Sequence, residues 1–409
     1  MSPDVPGGMG GFFPNMLGDL LKMLRTDTPI QWDLALQLAQ SVASEGTSEP
    51  NVDPMARMRF EEFVRIAELQ VADVIGMSVN PSGRSIGVVA VNRTEWARRA
   101  LESWRWLIVD IARALNPGPS ATGAELASAL GASLSGESDQ DLSALLAQWA
   151  SAMAPAMIAM QVGSVVGHLA HQTLGQYELP LPWRGSSELV VVPGNVAEFV
   201  ESWSLQGDDV TLWLAVRDVA THAVMARPHV AERLASLLVA HAAGFRPDPQ
   251  ALEQRLAEAA GGELSDLGDL TRLLGDPTAL AEVNDSPELR RIKTQLDALS
   301  AVLGGYVEWV TDTVAGKAIA GRSAVREAMR RRRVEHTNEA RAAEALFGLA
   351  LDVDQIDRGE AFVRGVLERG GEVELAKLWV LEANLPTPAE VDAPGLWIER
   401  VNLPPEESR

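Results

Sequence analysis

Apolar residues recur at helical spacing along most of the chain. Phe60, Phe63, Val64, Ala67 and Val74 form one stripe from Met55 to about Ile75, and the spacing before it predicts a helix from Asp33 to about Ser44. Leu17, Leu20, Leu21 and Leu24 make a shorter amphipathic turn after a Gly/Pro-rich start. It carries too few cations for a membrane surface, so packing against the body is expected. The intervening stretch EGTSEPNVDP reads as a mobile connection.

Pro81-Ser82-Gly83 marks a turn, and Ile86 to Val91 is read as a strand. Thr94 is the expected cap of a helix carrying Trp96, Trp104 and Trp106, which ends before Pro117. Residues 117 to 140, rich in Gly, Ser, Ala and Pro, read as a loop or weakly ordered insertion. Asp141 to Gly175 is helical and almost uncharged. With Met153, Met157 and Met160 it is expected to be buried nearly all round, kinked at Pro155. Gln176 to Pro182 is expected to be extended, because the residue before each proline avoids the helical region.

Glu188 to Val192 is the clearest strand, β-branched and closed by Pro193-Gly194. Asn195 with Glu198 resembles a capping box, and Asp208-Asp209 open a helix running to about Ala226, stopped by Pro228. Helices separated by Gly/Pro turns fill the rest. The pattern predicts a mainly α protein with a small β-sheet: an N-terminal helical region over 1–140, then a helical domain over 141–409 with a short sheet at 185–193.

Composition narrows the chemistry. Of 409 residues, 46% are hydrophobic, enough for a sizeable core. Ile292 to Val314 is apolar, but Lys293, Asp297, Glu308 and Asp312 interrupt it, so it does not span a bilayer. The first residues carry no basic n-region or cleavage site, and the cytoplasm is the expected address. With no cysteine, disulfides and thiolate metal sites are excluded. A net charge of −21 argues against nucleic acid. The exception is the run Arg326, Arg330, Arg331, Arg332 and Arg333, read as a solvated or salt-bridged helix face or, alternatively, a site for an anion or acidic partner. The chain has no G-x-S-x-G and no P-loop, and acidic pairs such as Glu308 with Asp312 are what charged helix faces supply by default.

Several stretches occur in a recognisable order: LGQYELPLP at 174–182, PGNVAEFVESWSL at 193–205, DDVTLWLAVRDVATHAVMARPHV at 208–230, GGYVEWVTDTV at 304–314, REAMRRRR at 326–333, GEAFVRGVLERGG at 359–371 and ANLPTPAEVDAPGLWIERV at 383–401. In these the chain resembles the actinobacterial zincin-like hydrolase family, uncharacterised zinc-dependent metalloprotease-like proteins. The resemblance covers most of residues 150 to 401. It implies a zincin-like fold, with zinc held by two histidines of H-E-x-x-H and a ligand from a later helix. In such a site the Glu polarises the attacking water and one coordination position stays open.

The resemblance places that motif at Arg217-Asp218-Val219-Ala220-Thr221, before His222-Ala223-Val224. Arg217 and Thr221 then stand for the two histidines, Asp218 for the base, and Gly304 for the acidic third ligand. Arginine has no lone pair to offer, threonine is a poor ligand and glycine has no side chain, so no zinc or other cofactor is expected. Displaced ligands are an alternative: Asp218 and His222 share a helix face, with His229 beyond Pro228. His168 and His171 are either hydrogen-bonded core histidines or a ligand pair.

The expected function is therefore a catalytically inactive relative kept as a binding or scaffold module, with an unknown protein or peptide partner. Glu188 to Val192 would be the edge for an added strand. The alternative is a metallohydrolase using displaced ligands. A third reading, a helical subunit of a larger assembly, rests only on the eleven tryptophans. Arg217 is expected to lie across the former metal position and pair with Glu308 or, failing that, Asp312; otherwise it points to solvent.

Overall fold

The computed structural model describes residues 28–80, 83–115, 139–184, 188–244, 286–335, 344, 346–349 and 353–403. The leucine turn at 17–24, Pro81-Ser82, nearly all of the 117–140 insertion and the side chain of Met153 lie outside them. The described helices are α1 (Trp32–Ala43), α2 (Pro54–Ile75), α3 (Arg93–Leu115), α4 (Asp139–Gln172), α5 (Pro193–Ser202), α6 (Gly207–Met225), α7 (Pro228–Gly244), α8 (Pro287–Ala318), α9 (Arg322–Val334), α10 (Val353–Leu375), α11 (Pro388–Asp392) and α12 (Pro394–Asn402). Two strands, β1 (Gly87–Ala90) and β2 (Glu188–Val191), pair in parallel with Gly87 opposite Glu188. The protein is mainly α with a small sheet, as the pattern predicts.

Local chemistry explains the boundaries. Asp53 accepts a hydrogen bond from Met55 N at 2.9 Å and Pro54 fills the first turn, which opens α2. Gly76 then closes it in the left-handed conformation. Asn92, not Thr94, caps α3, accepting from Glu95 N at 2.9 Å. The N–H groups of Arg93 and Thr94 go instead to Glu49, at 3.1 and 2.8 Å. That contact anchors the middle of EGTSEPNVDP, the stretch whose composition suggests mobility. Asn195 is no capping residue either. Pro193 at the first turn of α5 has no N–H to satisfy, and the Asn195 amide donates to Ala170 O and Thr173 O at 2.8 and 2.6 Å, closing the end of α4. Pro228 both ends α6 and begins α7.

α6 is the central element: every residue from Val210 to Met225 is buried. A helix apolar on every face has to be enclosed, and α2 and α8 pack along it. α4 differs from its expectation. Met157 and Met160 are 39% and 44% exposed, so this helix keeps a solvent face. One hydrophobic core runs from Ile30 to Trp397, and the sheet takes one strand from each side of residue 140. The described residues thus do not divide into two cores at that point.

Candidate functional site

Four polar residues in succession on a buried helix need a reason. Arg217, Asp218, Thr221 and His222 are each less than a tenth exposed, and a buried charge is costly unless paired. The segment after α4 supplies the partners. It turns at Gln176-Tyr177 and bends at Glu178, rather than running extended from Gln176. Gln176 N donates to Asp218 Oδ2 at 3.1 Å, and the Gln176 side-chain oxygen accepts from Val190 N at 3.1 Å. Gly175 lets this happen, because a Cβ there would sit 2.2 Å from Asp218 Oδ2. Tyr177 OH meets His222 Nδ1 at 3.1 Å, and the Arg217 guanidinium donates to Tyr177 O at 3.3 Å. Arg217 also lies 4.0 Å from Glu178 Oε2 and 3.6 Å from Asp218 Oδ1.

Arg217 is therefore buried at the expected ligand position, but its partners are not the expected ones. Glu308 is taken by Arg333, and Asp312 by Arg326 at 3.1 Å. The cause is α9, whose basic run folds back over α8. Arg330 pairs with Asp357 of α10 and Arg331 with Glu327 of its own helix. Arg332 pairs with Glu178 Oε1 at 2.9 Å. The run is salt-bridged, and two of its arginines reach the site.

Arg217, Thr221, Gly304, Glu178, Glu308 and the ends of Arg332 and Arg333 line one cavity of about 120 Å³. Glu344 and Ser300 also line it. Sequence reasoning missed Glu178, although it sits in the QYELPLP stretch, a lone carboxylate between apolar residues. Ser300 carried no signal of its own.

The electrostatics follow from burial and partners. Burial alone would raise the Glu178 carboxyl, but Arg332 and then Arg217 outweigh it and hold it below the usual range. Glu308 is held down likewise by Arg333 against burial. Asp218 goes the other way, pushed up to about 6 by burial that Arg217 only partly offsets. Burial lowers His222 to about 4, so it is neutral near pH 7. Arg217 stays charged, because Asp218, Glu178 and Glu308 together outweigh its burial.

This donor set does not fit a zinc ion. A guanidinium offers no lone pair, and the Thr221 hydroxyl is committed to Arg217 O at 2.8 Å. His222 Nδ1 faces Tyr177. Among the described residues no group of three or more His, Asp or Glu side chains is placed to hold a metal ion. The displaced set of Asp218, His222 and His229 is not brought together as one. His168 and His171 are half-buried and bond separate backbone carbonyls, Ser164 O at 2.8 Å and Val42 O at 2.9 Å. Nor is β2 an open edge. Opposite β1 it is met by Leu174 O, which accepts from Val192 N at 3.1 Å, and by a bridge from Gly175 to Val191.

A buried helix with polar residues on its inner turns, a short sheet beside it and a cavity lined from α4, α6, α8, α9 and α10 make up the scaffold around Arg217. The zincin-like metallopeptidase family matches residues 30–398, and the chain belongs to it. Its fold is similar to the crystal structure of a "putative hydrolase with a novel fold" from Chloroflexus aurantiacus. That protein is 21% identical with a TM-score of 0.61, over 92% of this chain and 99% of that one. A search of curated proteins finds no match. Among the described residues no helix is long and apolar enough to cross a membrane.

Proposed function

We propose that this chain is a catalytically inactive member of its family, retained as a binding or scaffold module. The observation that carries the reading is the buried Arg217 guanidinium, held by Tyr177 O, Asp218 and Glu178 beside the cavity that Thr221 and Gly304 also line. A metallopeptidase activates its water by coordination to an ion with an open position. Here a fixed organic cation stands where the resemblance puts the first ligand, and it offsets the charge of Asp218 and Glu178, the nearby carboxylates that would otherwise favour a metal.

The test is metal analysis of protein purified without chelator or His tag. Well under one zinc per chain is expected, with a melting temperature unmoved by EDTA and no cleavage of peptide libraries with or without added Zn²⁺. Stoichiometric zinc and a Tm that drops with EDTA would sink the reading. Metal-dependent cleavage abolished by Asp218→Ala would point instead to a metallohydrolase with displaced ligands.

A further inference from the structure

α1 and α4 lie side by side and run the same way. Gln31 N, just before α1, donates to Pro155 O at 3.3 Å, and near the far ends His171 Nε2 meets Val42 O at 2.9 Å. Two glycines one turn apart bring the helices together. A Cβ at Gly163 would sit 2.6 Å from Ala35 O, and one at Gly167 would sit 2.6 Å from Val42 Cβ. α3 packs against both helices and fills one side of this seam. Counting about 100° per residue from the contact lines places Leu34 and Leu38 of α1 together with Met157 and Met160 of α4 on the other side. Among the described residues that side stays open: Met157 and Met160 are 39% and 44% exposed, and Leu34 and Leu38 are half-buried. Further along, the same side turns polar, with Ser41, Ser164 and His171. The apolar part is short and sits at the end where the chain enters α1.

The sequence before α1 supplies a stripe of matching kind. Leu17, Leu20, Leu21 and Leu24 stand at i, i+3, i+4 and i+7, the spacing of one helical face. Ile30 is fully buried and Thr28 Oγ1 donates to Ile30 O at 3.0 Å, so the chain is fixed beside the seam before α1 begins. Gln31 is seven positions after Leu24, a span that reaches up to about 25 Å when extended. Met160 lies only about 8 Å beyond Pro155 along α4. The tether also holds the leucines at an effective concentration of about millimolar, which a second copy in dilute solution does not match.

We propose that the face made by Leu34, Leu38, Met157 and Met160 is the docking site of the chain's own segment Leu17 to Leu24. Its leucines lie over the two methionines and close the open side of the seam. The docking is independent of what the cavity beside Arg217 holds, since none of these residues lines that cavity.

The chain has no cysteine, so two introduced thiols are the only ones present. The experiment pairs Leu20→Cys or Leu21→Cys with Met157→Cys or Met160→Cys in the full chain, under mild oxidation at low protein concentration. At least one pair should close an intramolecular disulfide about tenfold or more faster than the same thiol paired with Leu69→Cys, because bridging needs neighbouring Cα atoms. Leu69 is the more exposed control, 74% open on α2. In a second arm, Met157→Glu with Met160→Glu should speed trypsin cleavage after Lys22 and Arg25 severalfold, with the far-UV spectrum unchanged. Leu20→Asp with Leu24→Asp should do the same from the other side of the contact. Disulfide rates no faster than the Leu69 control, or cleavage unmoved by both pairs of acidic substitutions, overturn the proposal. Disulfides that form only between chains and increase with protein concentration overturn it too, and assign the face to a second copy.

Discussion

Removing Arg217 alone would leave Asp218 buried without its cation while Glu178 keeps Arg332, and breaking a buried pair from one side typically costs ~3–5 kcal/mol. Arg217→Met should therefore lower the urea midpoint sharply. Adding Asp218→Asn to it should recover much of the loss. Arg331→Gln, which breaks only an exposed i,i+4 pair with Glu327, should cost no more than about 0.5 kcal/mol. Equal effects at the two arginines would refute the assignment. The same cluster sets a pH signature. Asp218 titrates in the fold near 6, above its unfolded value, so the fold holds an extra proton and Asp218 makes stability fall as pH rises from about 4 to about 6. His222, lowered by burial to about 4, makes stability rise across about 4 to 6.5, because the unfolded chain binds the proton first. The two slopes oppose each other. Urea midpoints against pH should rise more steeply in Asp218→Asn than in the parent over that window, and less steeply in His222→Gln. Parallel curves for all three proteins would disprove both shifts.

Periodic apolar spacing is a property of single elements, and at that scale the chain was legible: α1, α2, α6 and both strands lie within a residue or two of where the pattern puts them. What it could not give was which side chain on one element meets which on another. Arg217 has the right burial and the wrong predicted partner, because the arginines of α9 reached Glu308 and Asp312 first, and no spacing along the chain encodes that crossing. The crossing of α8 with α10 is another such fact. A Cβ at Gly305 would lie 2.1 Å from the Gly359 carbonyl carbon, and one at Gly359 would lie 1.7 Å from Ala301 O. Helix propensity favours Ala over Gly by about 1 kcal/mol, but here backbone would meet backbone, and overpacking costs about 1–3 kcal/mol or more. Gly305→Ala and Gly359→Ala should both lower Tm. Gly304 is one residue away on the same helix, with only an ordinary 3.5 Å contact to Ile356 Cγ1. Gly304→Ala should raise Tm slightly. A loss there as large as at Gly305 would mean that the helices are closer than the backbone places them.

The whole molecule holds α6 and α8 on opposite walls of one cavity, with Arg217 and Thr221 on the first and Gly304 on the second. If that cavity is where a family metal would sit, the scaffold needs only its ligands back. Positions 217 and 221 are one helical turn apart, the spacing at which two histidines share a face. Position 304 has room for the first atom of a new side chain. The triple variant Arg217→His, Thr221→His, Gly304→Glu should take up about one zinc per chain while the parent takes up little. Arg217→His also removes the cation that competes for the site, leaving Glu178 to orient a ligand from outside the ion. Binding to the folded state alone stabilises by about 2.7 kcal/mol at a free zinc level of 100 Kd, so Tm should climb with zinc in the triple variant and fall back with EDTA. The single variant Thr221→His supplies one ligand and should show neither effect. A correctly folded triple variant that binds no zinc would mean that the two helix walls do not stand at coordinating distance. The cavity would then be a pocket in its own right and no vacated metal centre.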